Sequence, residues 1–388
     1  MSNSLPENSA ASGDSPNIAS TDNLLQYKIG ISQIPGVGSI IAKKLIAYTG
    51  SIEAVFKEKK KNLLKIPGIG KTLAEVIVNH QNLEKAHAEI DFIQRYNIRY
   101  HFYLDEDYPA RLKQCPDAPI MLFCKGDVDF NKDKVISIVG TRNATDYGKE
   151  ICTKLVSDLA QRHQNLIIVS GLAYGIDICA HRAALKNNIP TIAVLAHGLA
   201  TLYPAVHRSS AKEIVNNGAL VSDFTSDIKP ERNNFIKRNR IIAGLADATI
   251  VVESGAEGGA LITADLANSY NRDVFAIPGR TNDEWSKGCN NLIKENKAAM
   301  IETVEDIEYQ LGWDSSKANT HVQMSLFQDL APDEQLLVNL LKEENNLMID
   351  ILCLRADMPV HKASALLLNL EFMGLIKSLP GKIYRLIG

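Results

Sequence analysis

With 388 residues, the chain has room for two or three domains, each able to bury a core of its own. A formal net charge of −3 excludes a globally basic chain, so any polyanion must be held by a local cluster of Lys and Arg. The six cysteines (Cys115, Cys124, Cys152, Cys179, Cys289 and Cys353) include no CxxC pair, which argues against a zinc ribbon and a disulfide scaffold.

Residues 1–22 are mainly Ser, Asn, Ala, Pro and Gly, and a tail with so little apolar surface is expected to lack order. It has neither the basic nor the apolar region of a secretory signal, and no apolar run approaches membrane-spanning length. The chain therefore reads as a soluble cytoplasmic protein with reduced thiols and no membrane contact. Residues 23–98 carry a repeat, Ile34-Pro35-Gly36-Val37-Gly38 and Ile66-Pro67-Gly68-Ile69-Gly70, each followed by a helical pattern. The repeat predicts a small helical (SAM-like) domain with two helix-hairpin-helix units. Such glycines let the backbone turn tightly, and the helix that follows presents unpaired N–H groups able to hold a phosphate. The plain alternative is a linker between packed helices. Lys71 follows the second hairpin where the first has Ser39, so Gly68, Gly70 and Lys71 are the better candidate for a secondary DNA contact.

Residues 99–313 alternate strand-like and helix-like stretches. The runs 135–139, 166–169, 191–195, 219–221, 248–252 and 274–277 are short, continuously apolar and rich in β-branched residues. Strands buried on both faces of a parallel sheet read this way. The prediction is an α/β fold, a Rossmann-like doubly wound parallel sheet with its ligand outside the carboxyl ends of the strands. Residues 314–330 read as a linker. Residues 331–388 show three helical stretches and then two short strands around Pro380-Gly381, which predicts a winged helix. Its presumed recognition helix is poor in Lys and Arg, which favours a protein contact over reading of a DNA groove.

Chemistry gathers at the predicted strand ends. Gly140-Thr141-Arg142 combines a sharp turn, a helix N-terminus and a permanently charged guanidinium, a set suited to phosphate; an arginine used only for packing is the alternative. Ser170-Gly171-Leu172-Ala173 is a second glycine-containing turn. No GxGxxG follows the first strand and no acid ends the second, so a dinucleotide cofactor is not expected. Asp177 and His181 lie four apart, a spacing for a hydrogen bond across one turn; with no third ligand in sight, no metal is expected either. From Lys229 to Arg240, KPERNNFIKRNR holds five basic residues against one acidic. Cations at a helix start oppose the macrodipole, and an exposed Phe235 beside them offers a stacking platform for unpaired bases; a solvated basic face is the alternative. Gly255 to Gly259 and Pro278-Gly279-Arg280 close two further strands. Four glycine-containing loops, two with arginine, are thus expected to converge on one sheet edge, an arrangement that suits a phosphodiester chain better than a small metabolite.

Taken in order, VGTR (139–142), SGLAYGID (170–177), AHGLATLYP (196–204), NFIKRNRIIAGLAD (234–247), ESGAEGGALITADLA (253–267), IPGR (277–280) and GCNNLIK (288–294) resemble the DNA-processing protein A (Smf) family. The approach segment from Asp107 to Gly126 fits it too. The resemblance implies a cytosolic bacterial protein that is not an enzyme and needs no cofactor. It implies binding of single-stranded DNA without strong sequence preference, a homodimer through the Rossmann-like domain, and loading of RecA recombinase onto DNA during natural transformation and recombination. It carries DNA contacts to Arg142, Lys237, Arg238 and Arg240. The full candidate set adds Gly140, Thr141, Ser170, Gly171, Phe235, Asn239, Gly258 and Asn291, with no catalytic residue. Many family members have Phe-Pro where this chain has Phe235-Ile236. The rival reading is a lysine-decarboxylase-like nucleotide phosphoribohydrolase, whose PGGxGT loop is followed by a catalytic Glu. The stretch Gly255 to Leu261 lacks the Pro and the second Gly-Thr, and Asp265 stands near the acid's place.

Overall fold

The computed structural model describes residues 18–79, 81–313, 330–344, 347–379 and 382–386. Residues 1–17 of the expected tail, 314–329 of the expected linker and the Pro380-Gly381 turn lie outside them. The rest of the expected tail is corrected, because the first helix, Ile18–Ser32, begins inside it. That helix buries Leu25 and Ile29 in one core with Ile90 and Ile93 of the helix Gln81–Tyr96. The chain divides into two compact units, Met1–Trp313 and Asp314–Gly388.

In the first unit the two PGxG repeats fold alike. Gly36 and Gly68 both take positive φ (80° and 92°), where a side chain would be strained. Gly38 and Gly70 cap the helices Ser39–Thr49 and Lys71–Val78. The N–H of Val37 donates to the Ile34 carbonyl at 3.0 Å, and that of Ile69 to Ile66 at 3.1 Å. These helices share a core with the sheet edge: Leu45 and Ile77 pack with Phe102, Met121 and Phe123. Each such side chain contributes roughly 1.5–3 kcal/mol on burial, which fastens the helical layer to the sheet.

The sheet has nine strands: β1 (Arg99–Phe102), β2 (Met121–Gly126), β3 (Lys134–Val139), β4 (Leu166–Ser170), β5 (Thr191–Val194), β6 (Gly218–Ser222), β7 (Ala248–Val251), β8 (Asp273–Ala276) and β9 (Ala299–Met300). Their order is β1-β2-β6-β5-β4-β3-β7-β8-β9. The strands from β3 onward run parallel, as the apolar runs predict. The expected all-parallel sheet is corrected at this edge, since β2 pairs antiparallel with β6 and β1 antiparallel with β2. An antiparallel return needs no crossover helix, so 18 residues with one short helix suffice to join β1 to β2.

Alternate strand residues enter opposite cores. Val135, Val139, Ile167 and Val169 meet Ile241, Ile242, Leu245 and Leu292 on one face. Ile136, Ile138, Leu166 and Ile168 meet Leu155, Val156, Leu159 and Ala180 on the other. With both faces covered, alternation in sequence disappears into a continuous apolar run. From β3 the chain first builds outward through β4, β5 and β6, then returns to β7 on its other side. That reversal leaves a crevice between the carboxyl ends of β3 and β7.

The second unit contains the helices Pro332–Glu343, Ile349–Ala356 and Val360–Phe372. Its sheet has the order β10 (Leu347–Met348), β12 (Ile383–Leu386), β11 (Ile376–Leu379). Leu337, Leu352, Leu367 and Ile376 form its core, the arrangement of a winged helix. Lys362 on the third helix pairs with Asp333 at 2.5 Å. Among the described residues, no helix is long and apolar enough to cross a membrane.

Candidate functional site

A cleft of about 1040 Å³ opens where β3 and β7 part. Its walls come from the turn after β3 (Gly140, Thr141, Arg142), from the helix Arg232–Leu245, and from the glycine-rich loop after β7. Ala173, Asp177, Tyr203 and Trp285 complete it.

The turn after β3 is fixed by Glu253, a buried carboxylate at the end of β7. The Thr141 N–H donates to the Glu253 carbonyl at 2.8 Å. The Thr145 N–H donates to Glu253 Oε2 at 2.9 Å, and the Thr145 hydroxyl to the other carboxylate oxygen. A carboxylate buried away from water needs such donors, and here they hold the loop in place. Thr145 also caps the helix Asp146–Arg162 by accepting from the Gly148 N–H at 3.1 Å. On the opposite side, Gly175 sits at φ 77°, and a Cβ there would lie 2.1 Å from the Thr141 carbonyl oxygen. Arg142 therefore projects, exposed, from a rigid turn, with its guanidinium carbon 5.2 Å from the centre of the Phe235 ring.

The basic run divides by helical geometry. Asn234, Arg238, Ile241, Ile242 and Leu245 form the buried stripe of the helix. Lys237 stays exposed. Arg238 is 4% exposed on the cleft floor, and it fits only because residue 171 has no side chain: a Cβ there would fall 1.5 Å from Arg238 Nη1. Burial draws its pKa down to about 10, the Asp177 charge opposing and the Arg142 charge adding to the fall. Burial likewise raises the pKa of Asp177, against Arg238 and the Ala173 N–H, which donates at 3.4 Å.

Arg240 is a correction. Its guanidinium donates to Asp223 Oδ2 at 2.6 Å, to the Asp117 carbonyl, and to Ser39 Oγ at 3.5 Å, and it does not line the cleft. Its two terminal nitrogens thereby join three segments of the fold. Asn239 lines the cleft and donates to the Gly259 carbonyl at 3.2 Å, tying the helix to the β7 loop.

Other expected positions also change meaning. Ser170 is fully buried and donates to the Ile138 carbonyl at 2.6 Å, and Gly171 is the seat of Arg238; neither lines the cleft. Phe235 is half-buried rather than an open platform, with Arg142 on its ring, Arg238 at 6.0 Å and Tyr203 edge-on at 5.9 Å. Gly258 lines the cleft at the start of the helix Gly259–Ser269. Asn291 is exposed on the helix Lys287–Lys294 and does not line it, nor do Gly68, Gly70 and Lys71 on the helical layer. Three of the four glycine-containing loops converge. The fourth, Pro278-Gly279-Arg280, lines a neighbouring cleft of about 810 Å³ with Thr145 and Tyr147.

Asp177 and His181 do not bond each other. His181 Nδ1 meets Thr191 Oγ1 at 2.7 Å, and burial, with Arg238 and His207, lowers its pKa to about 3. Among the described residues no three His, Cys, Asp or Glu side chains are grouped to hold a metal. Asp265 lines the cleft, largely exposed, and faces Lys297 at 3.9 Å. The sequence reading missed Glu253, Tyr203 and Trp285. Glu253 carried a legible signal, an acid directly closing a strand otherwise buried on both faces.

A family model described as DNA recombination-mediator protein A matches residues 99–312. A winged helix domain model matches 327–382, and a SAM-like helix-hairpin-helix tandem matches 30–80. Protein Smf of Synechocystis is 32% identical over 393 residues, covering 92% of this chain and 98% of that protein. The X-ray structure of DNA processing protein A from Streptococcus pneumoniae is similar at a TM-score of 0.63 and 33% identity, over 74% of this chain and 97% of that one. The DNA processing protein A of Helicobacter pylori, solved for its single-stranded DNA binding mode, gives 0.51 and 30%, over 56% and 98%.

Proposed function

This chain belongs to the DNA recombination-mediator protein A family, and on that premise we propose that its switch-point cleft binds single-stranded DNA without strong sequence preference. The observation that carries the reading is Arg142, an exposed guanidinium on a turn immobilised by Glu253 and stacked on Phe235. A single strand offers phosphates together with unpaired bases. Arg142 and Arg232 in the cleft and the exposed Lys237 beside it meet the phosphates, and bases stack on the outer face of the Arg142 guanidinium, which Phe235 backs. Stacking and phosphate contacts read no base edge, which accounts for the weak sequence preference. That the H. pylori relative binds single-stranded DNA supports this reading.

We further propose that the protein acts as a homodimer through its Rossmann-like unit and loads RecA recombinase onto strands taken up during natural transformation. Family membership supports both. Gly68, Gly70 and Lys71 then serve as a secondary contact, because they present an exposed helix start and an exposed lysine. The test is fluorescence titration of labelled oligo-dT at several salt concentrations. Log affinity should fall linearly with log salt, and Arg142→Ala should bind more weakly with a flatter slope. Equal affinity and slope for the two proteins would remove the cleft from the reading.

A further inference from the structure

We propose that Cys179 is a peroxide-reactive thiol, with Cys152 as its resolving partner, in a cationic cavity between the helices Asp146–Arg162 and Ile176–Lys186. The cavity, about 300 Å³, is lined by Lys149, Thr153, Arg182 and Lys186 around Cys179. Among the described residues, no carboxylate lines it. Of the lining cations, Lys149 also pairs with Asp146 at 3.0 Å, and Asp177 lies opposite Arg238.

Five of the six cysteines are buried, and Cys179 alone is partly accessible. Its sulfur lies 3.4 Å from Thr153 Oγ1 and 3.4 Å from the Lys149 carbonyl. The fully buried Cys152 lies on the facing helix, in the core against which Cys179 packs. The Cys152 thiol draws the Cys179 pKa down to about 6; burial opposes the shift, while Thr153, Lys149 and Arg182 assist it. Burial works the other way on Cys115 and Cys124, both raised to about 11, and on Cys289, raised to about 12. One thiol of the six is thus held as thiolate near neutral pH, with positive charge to attract an anionic or polar oxidant and a second sulfur beside it.

The chemistry balances with a hydroperoxide as oxidant. The Cys179 thiolate attacks the peroxide oxygen, the O–O bond breaks, and the leaving oxygen takes a proton and departs as water or an alcohol. The sulfur, oxidised by two electrons, becomes a sulfenic acid. The Cys152 thiol then gives up its proton and attacks that sulfur. The S–O bond breaks, a second water leaves, and a disulfide joins the two helices. Those helices begin at Thr145 and Gly175, both of which hold the turn that carries Arg142.

The inference does not depend on what the cleft binds, and its test uses the full chain. Under limiting iodoacetamide at pH 7, peptide mass spectrometry should show Cys179 alkylated roughly tenfold faster than each of the other five cysteines. Hydrogen peroxide should then yield a Cys152–Cys179 cross-linked peptide, two hydrogens lighter than the reduced pair and reversed by dithiothreitol. In Cys152→Ser, a dimedone-trapped sulfenic acid should accumulate on Cys179 instead. Alkylation of Cys179 at the rate of the others would overturn the proposal, as would peroxide treatment of the wild-type chain that forms no Cys152–Cys179 bond. Both decisive readings come from the wild-type protein, so neither requires a variant to fold.

Discussion

Replacing Arg238 by Met keeps most of the side-chain stem and removes the charge that faces Asp177. Arg238 and Asp177 are 4% and 6% exposed, so neither is compensated by water. Removing one member of a buried charge pair costs roughly 3–5 kcal/mol. Here the coupling acts through space without a direct hydrogen bond, and the stem is retained, so the low end applies: about 3 kcal/mol at neutral pH. For a unit that runs to Trp313 that is roughly 5 °C in the unfolding midpoint. The sign of the pH dependence follows from Asp177, whose folded-state pKa burial already holds above its ordinary value. A carboxyl shifted upward contributes stability below its unfolded pKa and loses it as pH rises through the folded one. Losing Arg238 lifts that folded pKa further, so the deficit of Arg238→Met should be largest at pH 7 and shrink toward pH 4. Calorimetry across that range, with Asp177→Asn and the double variant, gives the coupling directly. A loss under about 1 kcal/mol at neutral pH, or the same loss at pH 4 and 7, would refute the pairing.

Three further outcomes follow from the same geometry. Arg142→Ala should leave the unfolding midpoint unchanged, as exposed substitutions do, while the salt dependence of single-strand binding flattens by about 0.7 in slope. Both are read by melting and titration on one preparation. Arg240→Met should do the reverse, losing on the order of 3 kcal/mol because Asp223 is left without its cation, yet keeping the wild-type salt slope; a flattened slope would return Arg240 to the DNA. Gly175→Ala should cost about 2 kcal/mol or more through its positive φ and its contact with the Thr141 carbonyl. Hydrogen exchange should localise the loosening to residues 140–146, and single-strand affinity should fall with it.

The parallel strands were legible because each is a short apolar run bounded by glycine or polar residues, and β3 to β8 fall within one residue or so of those runs. The antiparallel strands were not. Met121–Gly126 is as apolar as its neighbours, but no βαβ rhythm surrounds it, and the sequence does not show which edge it joins. The candidate site was legible as a set of loops and not as a set of roles. KRNR reads as one basic cluster, whereas a helix distributes those four residues over different faces. Continuing the buried stripe backwards from Leu245 through Ile242 and Ile241 reaches Arg238 and Asn234, so Arg238's burial could have been read from spacing alone. The fate of Arg240 could not, because Asp117, Asp223 and Ser39 come from three distant segments that only the fold brings together.

Sorting the arginines in this way explains how a chain of net charge −3 can present a cationic site. Arg240 carries its own carboxylate and adds little field outside the fold. Arg238 does not: its single opposing acid, Asp177, is itself driven toward neutrality by burial, and Arg142 stands close enough to depress the Arg238 pKa. The cleft lining holds Arg142, Arg232 and Arg238 against Asp177, Glu257 and Asp265, so its cationic part is local: the wall where Arg142 stands over Arg238 and where Asp177 is driven toward neutrality by burial. The mutual repulsion of Arg142 and Arg238 is a standing cost in the empty cleft, and an anion bound between the walls relieves it. Position and burial, rather than the number of basic residues, thus decide the attraction of the proposed site for a polyanion.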